Sequence, residues 1–300
     1  MAILLTGKTG QLGSQLHRLL ACHNVKALGR DELDLGDPIH LAHQLRELPN
    51  LDLIVNAAAY TAVDHAETNL DTAFAVNAAG PAVLAEEAKR RNIPIIHFST
   101  DYVFDGNKAR PYTENDSPHP ISVYGQSKFE GEYRIKEIWH KYLIIRVSGM
   151  YDSRHTSFLT TMMKFASSKK TPRVVRDQIV SPNYCPCIAK AVNHVIHYML
   201  HREIEWGTYH LSGTGETNWY EFACWVFEHM SQRWGMELPI PVPVSSQEFG
   251  AKAKRPAYSV LDSTKFERIF QTVVPFWKEQ FHLCMEDMFR EINENVGERS

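Results

Sequence analysis

The chain has 300 residues, 44% of them hydrophobic, and a formal net charge of −3 at pH 7. That length supports a full core, as one large domain or two fused layers, and the charge balance argues against a dedicated nucleic-acid surface. No apolar run approaches the ~18 residues of a membrane span. The opening "MAILLTGKTGQLG" has no basic leader, and five scattered cysteines suit reduced thiols, so a cytoplasmic protein is expected.

In chain order, short apolar strands alternate with helices. "AILLT" (2–6), "NVKALG" (24–29), "LDLIVNAA" (51–58), "IPIIHFS" (93–99) and "YLIIRVS" (142–148) read as strands. Near-continuous apolar runs of this kind belong to strands covered on both faces. Helical patterns lie between them over 10–21, 37–48, 71–91 and 123–140, with Pro81 set to kink or split the third. The alternation predicts right-handed βαβ units, hence an α/β fold with a doubly wound parallel sheet of Rossmann type. Residues 1–150 form this predicted cofactor domain. Residues 151–300 read as a smaller mixed α/β substrate lobe that lends a strand or two back to the main sheet. It runs through a strand-like stretch (172–180), a helix (187–201), a strand (207–213), a Trp-rich helix (219–230), a Pro-rich loop (238–262) and a helical tail.

The chemistry-bearing motifs fall at strand ends. Gly7, Gly10 and Gly13, with Gln11 and Leu12 between the last two, follow the first strand as GxxGxxG, a spacing variant of the dinucleotide fingerprint. Glycines there permit a tight turn and close backbone approach, and the helix N-terminus offers N–H groups to a pyrophosphate. At the second strand end, Arg30 is placed for adenine or a 2′-phosphate and Asp31 can oppose it, which leans toward NADPH with NADH as the alternative. Small Ala57, Ala58 and Ala59 end the third strand, where backbone can approach a cofactor. Ser99 and Thr100 end the fourth; each can donate a hydrogen bond to a carbonyl, and Asp101 can bind substrate or relay a proton.

Tyr124 and Lys128 stand four residues apart, on one face of a helix. An ammonium beside a phenol favours the phenolate, so Lys128 is expected to lower the Tyr124 pKa. With a nicotinamide as hydride donor, Tyr124 would protonate a ketone oxygen, Thr100 would polarise the carbonyl and Lys128 would hold the nicotinamide ribose.

The glycine spacing, "STDYVF" and YxxxK resemble the extended short-chain dehydrogenase/reductases. Within them, "GKTGQLG", "NAAAYTAVDHAE", "VYGQSKFEGE", "DQIVSP", "GTYHLSG" and "RPAYSVLD" resemble the dTDP-4-dehydrorhamnose reductases from end to end. The resemblance implies reduction of the 4-keto group of a dTDP-linked 6-deoxyhexose. It implies Tyr124 as proton donor with Lys128 and Thr100, and Gly10–Gly13, Asp34, Leu35, Ala59, Tyr60 and Thr61 at the cofactor. Asp101, Tyr102, Phe104, Gln178 and Arg255 would line the nucleotide-sugar. A homodimer, with Mg2+ in its contacts, is a family feature for which no residue here is indicated.

Two stretches depart from the family pattern. A "TSW" is usual after the family's sixth strand, its Trp touching the sugar; here "RVSGMY" places Gly149 and Met150. "RHTSF" replaces the usual Gly-Asn-Asn-Phe. Both departures fall on the substrate side, where Gly149 and Met150 would line a roomier pocket.

Other features carry less. His194, His197 and His201 share a helix face two turns beyond Cys187, but without converging carboxylates they read as surface or interface histidines rather than zinc ligands. "CPC" at 185–187 matches no metal motif, and no metal ligand set is expected. Trp219, Trp225 and Phe227 read as second-lobe core, with Trp219 also near enough to line a cleft. A sugar-nucleotide epimerase or dehydratase of the same fold remains an alternative. So does a non-catalytic subunit resembling the beta subunit of methionine adenosyltransferase. A dehydratase tends to carry acidic residues after the active-site Thr, and Asp101 alone follows Thr100 here.

Overall fold

The structure, a computed structural model, describes residues 1–297. Strands β1 (Ala2–Thr6), β2 (Asn24–Leu28), β3 (Leu53–Asn56), β4 (Ile95–Thr100) and β5 (Tyr142–Val147) alternate with helices α1 (Gln11–Leu19), α2 (Pro38–Arg46), α3 (Val63–Ala66), α4 (Leu70–Phe74), α5 (Gly80–Arg91) and α6 (Val123–Ile138). Beyond them come β6 (Met150–Tyr151), α7 (Phe158–Ser167), β7 (Arg173–Val175), β8 (Ile179–Val180), β9 (Asn183–Tyr184), α8 (Cys185–His201) and β10 (Gly207–His210). β11 (Thr217–Asn218), α9 (Trp219–Trp234), β12 (Val242–Val244), α10 (Ser246–Phe249), α11 (Thr264–Phe270) and α12 (Trp277–Gly297) complete the chain.

The main sheet has six strands in the order β10-β5-β4-β3-β1-β2, every pair parallel. The order reverses at β1, which opens a crevice above the carboxyl ends of the central strands. Both sheet faces are covered, so Ile3, Leu4 and Leu5 all reach zero exposure, whichever way they point. One face buries Leu12 and Leu16 of α1 with Ile188, Val192 and Ile196 of α8; the other buries Leu41 of α2, Leu84 and Ala88 of α5 and Ile135 of α6. The second half thus contributes β10 and α8 to the main layers, while a separate cluster around Phe222, Trp277 and Phe281 forms the core of the second lobe.

The helix expected over 71–91 is split. A π-helical turn, Ala75–Ala79, separates α4 from α5, and Pro81 lies in the first turn of α5, where its missing N–H costs nothing. The strand expected over 172–180 is two short pieces, β7 and β8. Among the described residues no helix is long and apolar enough to cross a membrane.

Candidate active site

The glycine turn leaves β1 and opens α1. Gly7 has φ +75°, and a Cβ on Gly13 would stand 2.0 Å from the Gly7 carbonyl oxygen. Gly13 therefore serves packing: it lets α1 close on its own turn, while Gly7, Gly10, Gln11 and Leu12 face the crevice. A cleft of about 510 Å³ runs from this turn across the strand ends. Arg30, Asp34, Leu35, Ala57, Ala58, Ala59, Tyr60 and Thr61 line its cofactor half. Ser99, Thr100, Asp101, Tyr102, Tyr124, Lys128, Gly149 and Met150 line the remainder, with Trp219 from α9 opposite. Leu33, Val63, Val76, Phe98, Val147 and Val180 add apolar wall that the motifs did not indicate.

Helix α6 is held against the end of β4. Ser122 caps it, its hydroxyl accepting from Gly125 N–H at 3.2 Å. The glycine inside "YGQSK" has a steric reason: a Cβ on Gly125 would meet the Tyr102 carbonyl oxygen at 2.2 Å. The first turn of α6 thereby abuts the turn Asp101–Val103 and brings Tyr124 beside Thr100. The Tyr102 ring meets the Tyr124 ring edge-on at 5.8 Å. Asn77, in the π-helical turn, ties this assembly to the cofactor wall. It accepts from Tyr60 N–H at 2.8 Å and donates to the Tyr60 carbonyl at 3.0 Å and to Ser127 Oγ at 3.0 Å.

The electrostatics correct one expectation. Lys128 does not bring the Tyr124 phenol down. Burial pushes that phenol up to about 12, a hydrogen bond with Thr100 opposes the shift, and Asp101 adds to it. The side chain is half-buried and lines the cleft, and the raised pKa keeps the phenol protonated at neutral pH. The physical reason lies in where the amine goes. Lys128 Nζ is buried against β4, donating to the Phe98 carbonyl at 2.6 Å and sitting 3.3 Å from His97 Nε2.

His97 belongs to a buried chain that the motifs did not reveal. Asn56 Oδ1 accepts from Ala58 N–H at 3.1 Å, which orients the amide so that Nδ2 donates to His97 Nδ1 at 2.9 Å. Burial, then the neighbouring Lys128, holds the imidazole well below its usual range, so it is neutral. Its single proton then lies on Nε2, aimed at the Lys128 amine. That contact is attractive only when the amine is neutral. Burial brings Lys128 down to about 8, with Glu132 opposing. An ammonium here is therefore expensive at pH 7. Lys128→Met should stabilise the fold at pH 7, and the advantage should shrink as pH rises from about 8 toward 10.5, where the unfolded chain also loses its proton. Urea unfolding of both proteins at pH 7 and 10 reads this difference; an advantage unchanged with pH would remove the buried-ammonium account.

Asp101 is buried and its carboxyl is raised to about 6 by burial, against hydrogen bonds from Ser259, Ser148 and Thr100. Thr100 Oγ1 donates to its Oδ1 at 2.9 Å and Ser148 Oγ to its Oδ2 at 2.9 Å. Tyr124, Thr100 and Asp101 form one hydrogen-bonded line.

Three residues that the resemblance put on the nucleotide-sugar stand elsewhere. Phe104 is fully buried, stacked on Tyr112 at 4.2 Å with the Arg146 guanidinium 5.1 Å from its ring centroid, so it is core. Gln178 is buried outside the cleft wall and donates to Ser246 Oγ at 2.9 Å. Arg255 is paired with Asp64, Nη2 to Oδ2 at 2.7 Å and Nη1 to Oδ1 at 3.2 Å, and its positive charge faces Tyr102. It buttresses the Tyr102 wall rather than lining the cleft.

The family model of the RmlD substrate binding domain matches residues 1–290. A dTDP-4-dehydrorhamnose reductase of Burkholderia thailandensis is 36% identical over 298 residues, covering 96% of this chain and 99% of that protein. The chain belongs to the dTDP-4-dehydrorhamnose reductase family. The spore coat polysaccharide biosynthesis protein SpsK of Bacillus subtilis is 39% identical over 267 residues, covering 88% of this chain and 90% of the relative. A crystal structure of dTDP-4-dehydrorhamnose reductase from Bacillus anthracis in complex with NADP superposes with a TM-score of 0.87 at 34% identity, covering 95% of this chain and 99% of that one.

Within the dTDP-4-dehydrorhamnose reductase family, this chain's Gly149 has a backbone reason to be glycine. Its φ is +44°, and a Cβ would lie 3.0 Å from the Ser181 carbonyl oxygen. The aromatic surface facing it comes instead from Trp219, braced by Phe158 at 4.6 Å. Nothing among the described residues indicates an Mg2+ site. Mg2+ takes oxygen ligands, and the cluster of three metal-ligating groups found among the described residues is Cys22, His23 and His197, with sulfur and nitrogen donors.

Proposed function

We propose that the chain reduces the 4-keto group of a dTDP-linked 4-keto-6-deoxyhexose, dTDP-4-dehydrorhamnose being the first candidate, with NADPH preferred over NADH. A cytoplasmic, polysaccharide-building role suits the five free thiols and the relatives' names. The observation that carries the reading is that a protonated Tyr124, its partner Thr100 and the buried Lys128 meet in the same cleft as the glycine turn.

The residues present fit a dinucleotide. The close approach of Gly13 to Gly7 leaves backbone N–H groups at the start of α1 facing the cleft, with no side chain between them and a pyrophosphate. When bound, the nicotinamide supplies the hydride. The chain's own residues do the rest. On substrate binding Thr100 would turn its hydroxyl from Asp101 to the carbonyl oxygen, Tyr124 would give that oxygen a proton, and Asp101 lies behind Thr100 as the next proton holder. Lys128 serves the ribose side, and the half-open wall of Tyr102, Met150 and Trp219 encloses the sugar. The second lobe, from about residue 151, is the substrate half by the same reading, since Trp219 and Val180 reach the cleft from it.

Arg30 is exposed at the rim, its Nε 3.8 Å from Asp34 Oδ2. So loose a pair leaves the guanidinium free to meet a 2′-phosphate. Arg30→Ala should weaken NADPH by roughly tenfold and NADH much less, about 1.5 kcal/mol for one charged hydrogen bond. Equal losses for both cofactors, measured by fluorescence titration, would limit Arg30 to stacking. The function itself is tested by following oxidation of NADPH and NADH against a panel of nucleotide-linked 4-keto sugars. Turnover with dTDP-linked members supports the reading, and turnover with none of the panel overturns it.

A further inference from the structure

Away from the cleft, three metal-ligating side chains gather at the outer end of α1. Cys22 and His23 lie in the turn between α1 and β2, and His197 lies near the end of α8, which packs along α1. One ligand atom from each residue, a sulfur and two imidazole nitrogens, lies within 4.8 Å of the other two. The two imidazole rings are 5.2 Å apart, inclined at 46°. His197 Nδ1 is 2.8 Å from the Asn193 carbonyl oxygen, which keeps its proton on that nitrogen and leaves Nε2 with a free lone pair. Such a carbonyl partner is what orients a metal-ligating histidine.

His23 supplies the second observation. Its Nε2 is buried with no hydrogen-bond partner. Native structures keep few buried nitrogens without a partner. Cys22 is a free thiol at the surface.

We propose that Cys22, His23 and His197 form a binding site for a divalent metal of the zinc class, with one thiolate, two imidazoles and a fourth position open to water. Sulfur and nitrogen donors select zinc, cobalt or nickel over the hard cations that oxygen ligands hold. Tetrahedral zinc, with bonds of about 2.3 Å to sulfur and 2.0–2.1 Å to nitrogen, sets ligand atoms roughly 3.3–3.6 Å apart. The donors therefore close by about 1 Å from their widest separation, within the reach of the exposed Cys22 side chain. Binding displaces the thiol proton to solvent and changes no oxidation state.

Such a site would staple the turn after α1 to α8. The opposite ends of these two helices meet at the cofactor side, where Cys185 Sγ lies 3.6 Å from Gln11 Oε1. The metal would thus brace the helix pair that carries the glycine turn, at a distance from the reacting atoms.

The test uses the full-length protein, freed of metal and held under a phosphine reductant. Co2+ is titrated first, then Zn2+ against a chromophoric chelator. One equivalent of Co2+ should produce the intense visible bands of tetrahedral coordination and a thiolate-to-cobalt absorption, both erased by Zn2+. Cys22→Ser should lose the thiolate absorption, and both it and His197→Ala should bind Zn2+ at least roughly tenfold more weakly. Zn2+ should raise the Tm of the wild type and leave that of the variants unchanged. Neither side chain is part of the core, so circular dichroism should show both variants folded. A cobalt spectrum without the thiolate band, or a zinc affinity that Cys22→Ser leaves intact, overturns the site.

Discussion

Tyr124→Phe should lower kcat by roughly 10²–10⁴-fold while the affinity for NADPH stays within about twofold, the range of a lost general acid. The phenol is the protonated group in the cleft that stands beside Thr100, and burial with the nearby Asp101 keeps its proton on at neutral pH. Phenylalanine keeps the edge-on contact with Tyr102 and the shape of the wall, so binding should survive. Stopped-flow measurement of NADPH oxidation separates the two effects. A variant turning over at the wild-type rate would give the proton-donor role to another group, Asp101 being next in line through Thr100.

The second large effect is on stability. Glu132, on α6, and Arg146, on β5, form a fully buried bidentate pair, Nη2 to Oε2 at 2.6 Å and Nε to Oε1 at 2.8 Å. Burial works against both charges, yet the guanidinium holds the Glu132 carboxyl below its usual range. Glu132→Ala would leave Arg146 buried with only His210, 3.4 Å away, and the Phe104 ring near it. Breaking one side of such a pair costs about 3–5 kcal/mol, a large part of a total stability of roughly 5–15 kcal/mol. Urea unfolding reads this directly, and a loss under about 1 kcal/mol would mean that water or a rearranged partner reaches the guanidinium. The pair also fixes α6 to the sheet, one turn beyond Lys128. A fall in turnover accompanying the lost stability is therefore expected.

Most of the cofactor half was legible because its signals are local. Apolar runs placed β1 to β5, the glycines placed the turn, and four-residue spacing placed Tyr124 and Lys128 on one face. What was not legible depends on partners distant in sequence or on a break in periodicity. The turn Asp101–Val103 interrupts the alternation of β4, and Phe104 consequently enters the core instead of facing substrate. Arg255 is taken up by Asp64, 191 residues away, and Gln178 by Ser246, 68 residues away. No spacing rule announces either pairing.

The direction of the Tyr124 shift was missed for a related reason. The helical spacing correctly put the two side chains on one face. It could not tell that the amine would turn to the Phe98 carbonyl and His97. A signal was present, though: a histidine inside the otherwise apolar "IIHF", fully buried in the structure, demands a polar partner. His197 likewise shared a helix face with His194 and His201. Its spatial neighbours are Cys22 and His23, while His194 is occupied by the Phe270 carbonyl at 2.8 Å.

In the proposed reaction this cleft delivers a hydride and the Tyr124 proton to a 4-keto group of a dTDP-linked sugar. The most direct measurement mixes the wild-type protein with NADPH and dTDP-4-dehydrorhamnose, follows cofactor oxidation and identifies the sugar by NMR. The expected result is one equivalent of NADPH consumed for each carbonyl converted to a C4 hydroxyl. Unchanged NADPH, or a product that keeps its carbonyl with another centre inverted, would contradict the account.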